Sequence, residues 1–192
     1  MIIGIIDCGG ANLNSIYYSF KRLDINTVIS NSKDELSGLD AYVLPGVGSA
    51  NAVMQCLRDK NLIDFIKNIS KPVLGICIGM QIMYEYSEEG DTQCLGIIDG
   101  KIKKFKSEKN LTVPQMGWNK LVCKDDLKSL NGHYYYANSF YTDSKDSAMG
   151  FTEYGVNYTS LVKKNNFIGC QFHPEKSSVS GEKFLQYFLT TT

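Results

Sequence analysis

Apolar runs and helical patterns alternate along the first part of the chain. Four short, continuous apolar runs predict buried strands, at residues 1–6, 27–30, 41–44 and 72–76. Between the first two runs, apolar residues recur at helical spacing, at Ile16, Tyr17, Phe20 and Leu23. Residues 50–68 carry the pattern of one or two helices. Because strands that alternate with helices form parallel sheets, the pattern predicts a sheet with helices on both faces.

The second part of the chain has a different character. Residues 95–172 are rich in strand patterns separated by glycine and asparagine turns, which predicts an antiparallel section. An amphipathic pattern at 179–189 predicts a closing helix. No repeat or low-complexity linker divides the 192 residues, so we expect a single domain over 1–192. The predicted fold class is α/β, a mostly parallel open sheet with helices on both faces and a small antiparallel extension.

The charge pattern argues against nucleic-acid and membrane partners. Lys+Arg and Asp+Glu number 20 each, so the formal net charge is zero, and the two signs are intermixed. The densest basic run, at 101–106, alternates with apolar residues as an exposed strand does. The N-terminal apolar run has no basic residues before it and meets Asp7 early, unlike a signal peptide. We therefore expect a cytoplasmic protein.

The cysteines point to neither disulfides nor metal. All six are widely scattered, without a Cys-x-x-Cys pair or a His/Cys cluster. This spacing is unlike a disulfide framework or a structural zinc site. We expect no metal and no other cofactor.

One cysteine stands in a chemically suggestive setting. The run 72–76 ends in Gly75-Ile-Cys77-Ile-Gly79, and a helical pattern follows at once. This is the cysteine form of a nucleophile elbow, a sharp strand-to-helix turn flanked by glycines. A helix N-terminus behind the sulfur favours the thiolate. The alternative is a buried structural cysteine between two glycines.

A base for that thiol is found near the C-terminus. His173-Pro-Glu175 follows an apolar run, and the proline keeps His173 extended. Residues two apart in an extended segment face the same side, so Glu175 can orient the imidazole of His173. The alternative for His173 is a strand-end histidine without a chemical role. His133 follows Asn131-Gly132, a sequence typical of turns, and we predict no chemistry for it.

A third strand exit carries the glycine-rich loop Pro45-Gly46-Val47-Gly48. Backbone N–H groups of such a loop can stabilise an oxyanion, although Pro-Gly-x-Gly alone is simply a turn. In open α/β sheets, sites form beyond the carboxyl ends of the strands. The three strand exits therefore predict one acyl-transfer site.

With these pieces placed, the sequence resembles the class I, triad-type glutamine amidotransferases, which are flavodoxin-like in fold. Within them it is most similar to HisH-like glutaminase subunits of imidazole glycerol phosphate synthase. The shared motifs span the chain: Ile3-Gly-Ile-Ile-Asp7, Asn12-Leu13, Pro45-Gly-Val-Gly48, Leu74-Gly-Ile-Cys-Ile-Gly-Met-Gln81, Ser87-Glu-Glu-Gly90, Pro114-Gln-Met-Gly-Trp-Asn119 and Gln171-Phe-His-Pro-Glu-Lys-Ser177.

The resemblance implies roles for individual residues. Cys77 would attack the side-chain amide of L-glutamine and form a thioester, His173 would transfer protons, and Glu175 would hold the imidazole. The oxyanion hole would be formed by backbone groups of Gly46, Val47, Gly48 and Ile78. The amino and carboxylate groups of glutamine would be held by Gln81, Glu89, Ser139 and Phe140.

The resemblance also implies a partner. Ammonia would pass to a HisF-type (β/α)₈ cyclase, docked as a heterodimer, that makes imidazole glycerol phosphate and AICAR in histidine biosynthesis. The docking surface would include Asn12, Asn14, Met116, Trp118, Tyr135 and Lys176. The segment Met116-Gly-Trp118-Asn is predicted to be a turn that presents an interface anchor.

Three departures from the family pattern leave alternatives open. The first loop reads Cys8-Gly-Gly-Ala11 where the family has Tyr-Gly-x-Gly, and Gln115 and Asn138 stand where it has histidines. One alternative is a paralogous glutaminase that supplies ammonia for another amidation, such as that of a surface sugar. A second is an inactive binding subunit, which the intact triad argues against. A third alternative is a cysteine hydrolase of the same sheet type. The His-Pro-Glu motif near the C-terminus argues against it, because those hydrolases usually lack this motif.

Overall fold

The computed structural model describes residues 1–9, 12–46, 48–107 and 111–191. The helices are α1 (Leu13–Lys21), α2 (Lys33–Leu36), α3 (Ala50–Asp59), α4 (Ile63–Lys67), α5 (Ile78–Gln81) and α6 (Ser178–Leu189), with 3₁₀ turns at Asp125–Leu130 and Pro174–Lys176. The strands are β1 (Ile2–Ile6), β2 (Asn26–Ser30), β3 (Ala41–Leu44), β4 (Val73–Ile76), β5 (Tyr86–Ser87), β6 (Thr92–Gln93), β7 (Lys101–Lys104), β8 (Gln115–Cys123), β9 (Gly132–Asn138), β10 (Phe140–Tyr141), β11 (Ala148–Tyr154), β12 (Val156–Lys164) and β13 (Phe167–Cys170).

Within the described residues, the main sheet has nine strands in the order β2-β1-β3-β4-β13-β12-β11-β8-β9. The strands from β2 to β13 are parallel, and those from β13 to β9 are antiparallel. The predicted α/β class, with a parallel open sheet and an antiparallel extension, is confirmed. The antiparallel section contributes four of these strands.

The parallel strands read as unbroken apolar runs because both of their faces are covered. Every residue of β3 and of β4 is buried. Strands that are buried on both faces lose the polar alternation seen in half-exposed sheets. The same core includes Phe184 and Phe188 of the closing helix α6, which pack within the apolar cluster.

A second, smaller sheet lies beside the carboxyl ends of the parallel strands. Its order is β10-β7-β5-β6 among the described residues. The basic run forms β7, in which Ile102 is buried and Lys101 and Lys104 are exposed, as the alternation predicts. This sheet carries Phe140 on β10 into the neighbourhood of α5, where Gln81 contacts the backbone of Phe140.

Two predicted turns are strands in the structure. His133 was assigned to a turn, but it lies on β9 opposite Lys120 of β8. Met116-Gly-Trp118-Asn also lies within β8, paired with β9. In both cases long-range pairing determines the conformation, and Gly117 is accommodated in β8 with a φ of 132°.

The helix after the elbow is shorter than its apolar pattern indicates. Helix α5 ends at Gln81, and its continuation is replaced by turns. The carbonyl groups of Ile82, Met83 and Tyr84 accept hydrogen bonds from the backbone of 95–98 instead of from a further helical turn. A single turn provides only a small helix dipole, so the predicted support of the thiolate by α5 is correspondingly weaker.

Candidate active site

Cys77 lies at a strained turn between β4 and α5. Its φ of 53° and ψ of −108° are outside the regions that ordinary residues favour. The Cys77 N–H donates to the carbonyl of Cys170 on β13 at 2.8 Å, which ties the turn to the adjacent strand. The side chain is almost fully buried, although it lines a cleft. The predicted nucleophile elbow is present.

His173 and Glu175 form the predicted pair. His173 Nδ1 lies 2.8 Å from Glu175 Oε1, and both side chains are largely withdrawn from solvent. The turn that carries them is fixed by Ser177, whose hydroxyl donates to the His173 carbonyl at 2.6 Å. The same hydroxyl accepts from the Tyr135 N–H on β9 at 2.9 Å. Because Glu175 engages Nδ1, the Nε2 atom remains for the thiol.

The protonation of His173 is governed by its two neighbours. Burial by itself lowers the pKa of His173, because desolvation disfavours the charged imidazole. The negative charge and hydrogen bonding of Cys77, followed by those of Glu175, outweigh burial and raise the pKa of His173 to about 10. The imidazolium is therefore retained at neutral pH beside the sulfur.

This pairing predicts the pH dependence of alkylation. Because the charged imidazole of His173 stays beside Cys77 up to about pH 10, we expect the rate of Cys77 alkylation by iodoacetamide to depend less steeply on pH from 7 to 9 than that of Cys94. Burial raises the pKa of Cys94 to about 11, so its alkylation should rise about tenfold per pH unit in the same samples. Glu175→Gln removes a charge that raises the His173 pKa, so the Cys77 rate at pH 7 should fall. Mass spectrometry of the two peptides measures each rate, and parallel profiles would contradict the ion pair.

The glycine loop lies directly against the elbow. A Cβ atom on Gly46 would be 2.0 Å from the Ile76 carbonyl oxygen and 2.4 Å from the Ile78 nitrogen, so only glycine fits. The Ile78 N–H is at the start of α5, where the helix itself leaves it unused. Gly48 has a φ of 102°. Val47, also predicted for this loop, lies outside the described residues.

A cleft of about 380 Å³ brings these elements together. Its lining includes residues from the elbow, the glycine loop, the small sheet and the C-terminal turn: Asn12, Gly46, Gly48, Cys77, Ile78, Gln81, Glu89, Pro114, Ala137, Asn138, Ser139, Phe140, His173 and Lys176. The residues predicted to bind glutamine therefore surround the same space as the predicted nucleophile and base. Glu175 lies behind His173.

Gln81 and Glu89 are both held by specific contacts. Gln81 is buried, and its Nε2 donates to the Phe140 carbonyl at 3.1 Å. Its Oε1 is also buried and has no hydrogen-bond partner among the described residues. Glu89 Oε2 accepts from the Ala50 N–H at 2.7 Å, at the beginning of α3. A solvent-facing role for Gln81 is thereby excluded. The unpaired Oε1 is an acceptor available to a ligand in the cleft.

Comparisons with known proteins agree with this geometry. The family model described as glutamine amidotransferase class-I matches residues 4–191. This chain belongs to the class-I glutamine amidotransferases. It is 40% identical over 192 residues to imidazole glycerol phosphate synthase subunit HisH of Haemophilus influenzae, covering 97% of this chain and 96% of that protein. It is 42% identical over 191 residues to subunit HisH 2 of Campylobacter jejuni, with 98% of each covered.

Within the class-I glutamine amidotransferases, the chain is a HisH-like glutaminase subunit. A solved structure titled as a glutamine amidotransferase superposes with a TM-score of 0.79 and covers 100% of this chain and 98% of that one. Its sequence identity of 17% means that this likeness shows the fold alone.

The predicted docking residues of this amidotransferase form a partly aromatic surface. Met116 and Trp118 are 67% and 55% exposed, so neither fills the core. Trp118 lies edge-on to Tyr135, with ring centroids 6.4 Å apart, and Lys176 Nζ is 5.8 Å from the Tyr135 ring centre. Asn12 and Asn14 are also exposed, at the beginning of α1. We call Met116, Trp118, Tyr135 and Lys176 the aromatic surface.

The departures from the family pattern are adjacent in the structure. Gln115 and Asn138 are cross-strand partners in the β8–β9 ladder, and both are buried. Gln115 Oε1 accepts from the Tyr158 hydroxyl at 2.9 Å, and Asn138 Nδ2 donates to the Phe140 carbonyl at 3.0 Å. In the first loop, Cys8 is buried, whereas positions 10 and 11 lie outside the described residues.

Sequence reasoning assigned no role to Gln171. This residue is fully buried and contacts Cys77, with 3.5 Å between Gln171 Nε2 and Cys77 Sγ. Its place two residues before His173 was the available signal, because alternate residues of an extended segment share a side. In the described part of the chain, no group of three or more His, Cys, Asp or Glu side chains is arranged to hold a metal, and no described helix is long and apolar enough to span a membrane.

Proposed function

We propose that this protein is the cytoplasmic glutaminase subunit of an imidazole glycerol phosphate synthase. It hydrolyses L-glutamine to glutamate and ammonia and transfers the ammonia to a HisF-type (β/α)₈ cyclase. The observation that carries the proposal is the triad at the edge of one cleft, with His173 Nδ1 at 2.8 Å from Glu175 Oε1 and the raised pKa of His173 caused first by Cys77. The similarity to HisH proteins over nearly the whole chain supports it.

The residues account for both half-reactions. The Cys77 thiolate attacks the side-chain amide carbon of glutamine, and the negative charge moves to the amide oxygen beside Ile78 N–H and the Gly46–Gly48 loop. His173 donates its proton to the departing nitrogen, the C–N bond breaks, and ammonia and a glutamyl thioester result. His173 then removes a proton from water, the hydroxide attacks the thioester, and glutamate leaves as the Cys77 thiolate re-forms.

Substrate binding uses the polar groups around the cleft. Glu89 supplies a carboxylate and Gln81 an unpaired amide oxygen, both suited to the α-ammonium group of glutamine. The backbone at Ser139 and Phe140 would contact the α-carboxylate. Glu89 accepts from the Ala50 N–H at the beginning of α3, directly after the glycine loop, and this position beside the loop supports its proposed role in holding the substrate.

The aromatic surface is the proposed docking site for the cyclase. Exposed Trp and Met side chains are enriched at protein interfaces and supply much of the binding energy there. Asn12 and Lys176 line the cleft, and Lys176 also belongs to this surface, so the glutaminase site opens beside it. A barrel docked there would receive ammonia without its release into solvent.

Trp118→Ala should weaken binding of a HisF-type barrel by about tenfold to a hundredfold, because the change removes a large exposed anchor. The matched control is Val122→Ala, an exposed apolar residue on the same face of β8, about 13 Å farther along the strand. Isothermal titration of each variant with the barrel measures the effect. Equal affinities for the two variants would exclude the aromatic surface as the docking site.

The paralogous glutaminase remains the second candidate function. Gln115 and Asn138, which stand where the family has histidines, are partners across β8 and β9, and Asn138 lines the cleft; this departure favours it. Stimulation of glutamine hydrolysis by a barrel from another amidation pathway, and not by a histidine-pathway barrel, would establish this function instead.

A further inference from the structure

A chain of three carboxamide contacts leads from the glutamine-binding region to the nucleophile. The Phe140 carbonyl accepts from Gln81 Nε2 at 3.1 Å, and Gln171 Oε1 accepts from the same nitrogen at 2.9 Å. Gln171 Nε2 in turn lies 3.5 Å from Cys77 Sγ. Gln81, Gln171 and Cys77 are all buried, so these contacts are shielded from water.

The direction of this chain is fixed by its first member. A backbone carbonyl can only accept, so the Phe140 carbonyl requires the NH₂ group of Gln81 to face it. That NH₂ group then faces Gln171, which must present its oxygen. Gln171 is left with its NH₂ group towards sulfur. Reversing the Gln171 amide would place two NH₂ groups against each other at the Gln81 contact and an oxygen against the sulfur at the other.

We propose that Gln171 is a positioning residue for the glutaminase reaction, whose amide N–H group holds the Cys77 sulfur in its thiolate form and is itself oriented by Gln81. The inference rests on the proposed function, and it names a residue outside the Cys-His-Glu triad. A buried thiolate needs hydrogen-bond donors, because burial without them favours the neutral thiol. Helix α5 has only one turn, so a side-chain donor supplies what the short helix does not.

This chain of hydrogen bonds also links substrate binding to the nucleophile. At its beginning, the buried Oε1 of Gln81 is an acceptor without a partner in the described part of the chain. An α-ammonium group that donates to this oxygen polarises the amide and strengthens the N–H donors that follow it, since hydrogen bonds in a chain reinforce one another. Bound glutamine would thus increase the donation from Gln171 to sulfur.

The test uses iodoacetamide alkylation of Cys77 in the whole chain without substrate or partner. Gln171→Leu keeps most of the side-chain volume and removes the donor. We expect the Cys77 alkylation rate at pH 7 to fall about tenfold to a hundredfold, the range expected for loss of a hydrogen bond to a charged group. The Cys77 alkylation rate should also rise more steeply with pH than in the wild type. Ser160→Ala, a fully buried polar residue on the adjacent strand, is the structural control and should keep the wild-type profile.

Two further variants keep the result decisive. Gln171→Asn retains a carboxamide on a side chain that is one methylene shorter, so this amide cannot contact both Gln81 and Cys77. If the leucine variant does not fold, the asparagine variant should show the same change in alkylation. Gln171→Glu places an acceptor against sulfur and should lower the pH 7 rate further. A folded leucine or asparagine variant with the wild-type alkylation profile would overturn the proposal.

The alkylation readout is independent of glutamine turnover. If the wild-type chain released no glutamate either alone or with the barrel, the proposed function would fail, but the profiles would still report whether Gln171 acts on Cys77. Where glutamate release is measurable, Gln171→Leu should lower kcat more than it raises KM, because the donor acts on the attacking sulfur.

Discussion

Cys77→Ala will reduce glutamate release from glutamine by at least about 10⁴-fold, to the background of the assay, because no other group can form the thioester. The fold should persist, since the change removes a single sulfur atom from a residue that lines the cleft. Coupled detection of glutamate measures the effect. The pKa of His173 should also fall below about 10, because Cys77 is the largest contribution that raises it. An NMR titration of the ring detects that change.

A matched control separates this result from a general effect of losing a cysteine. Cys94 is a free cysteine whose thiol donates to the Thr92 carbonyl, and it does not line the cleft, so Cys94→Ser should leave turnover unchanged. A glutamine-analogue electrophile should label Cys77 in the wild type and in Cys94→Ser, and should not label Cys77→Ala. Residual turnover in Cys77→Ala would contradict the assignment of the nucleophile.

Gly79→Ala is expected to lower the stability of the fold strongly. A Cβ atom at this position would lie 2.0 Å from the Leu44 carbonyl oxygen on β3, a contact that no rotamer change can relieve. A Cβ atom added to Gly75 would likewise be too close to the Gly79 carbonyl group, so the elbow packs backbone against backbone. Overpacking of this kind costs about 3 kcal/mol, which corresponds to a fall in Tm of about 6–12 °C for a chain of this size.

Differential scanning calorimetry tests this expectation. The control is Gly132→Ala on β9, where the nearest atom to an added Cβ is the Ser180 hydroxyl at 3.1 Å, at the end of a side chain that can rotate. Gly132→Ala should change Tm only slightly. If the two variants melted at the same temperature, the close approach of α5 to β3 would not be a determinant of stability.

Much of this fold could be predicted from the sequence because each parallel strand is indicated by its own local run of apolar residues. An apolar run between polar loops identifies β1, β3 and β4 without knowledge of their neighbours. The location of the site could also be predicted, because the residues that follow parallel strands meet beyond the carboxyl ends of those strands. The sequence alone therefore predicts that Cys77, Gly46 and His173 lie together.

The antiparallel section was predicted less completely for a physical reason. The strand conformation of His133 and of Met116–Asn119 comes from the β8–β9 register, and a local pattern containing glycine and asparagine resembles a turn. The pairing of Gln115 with Asn138 depends on the same register. Such pairings are set between distant residues, so single positions in the sequence do not reveal them.

The contact of Gln171 with Cys77 illustrates the same limit within the site. The two residues are 94 positions apart in the chain, and the amide that orients Gln171 lies on a third segment. A sequence motif indicates that Gln171 is near His173, but it carries no information about which amide atom faces sulfur. That orientation follows only from the acceptor-only carbonyl of Phe140.

The most direct test of the central claim is glutamate release by this chain, alone and with a HisF-type barrel that carries its nucleotide ligand, with Cys77→Ala as the blank. We predict slow release by the isolated chain and strong stimulation by the ligand-bound barrel, lost entirely in the variant. Release that the barrel does not stimulate would contradict the histidine-pathway pairing. No release under either condition would contradict the glutaminase function itself.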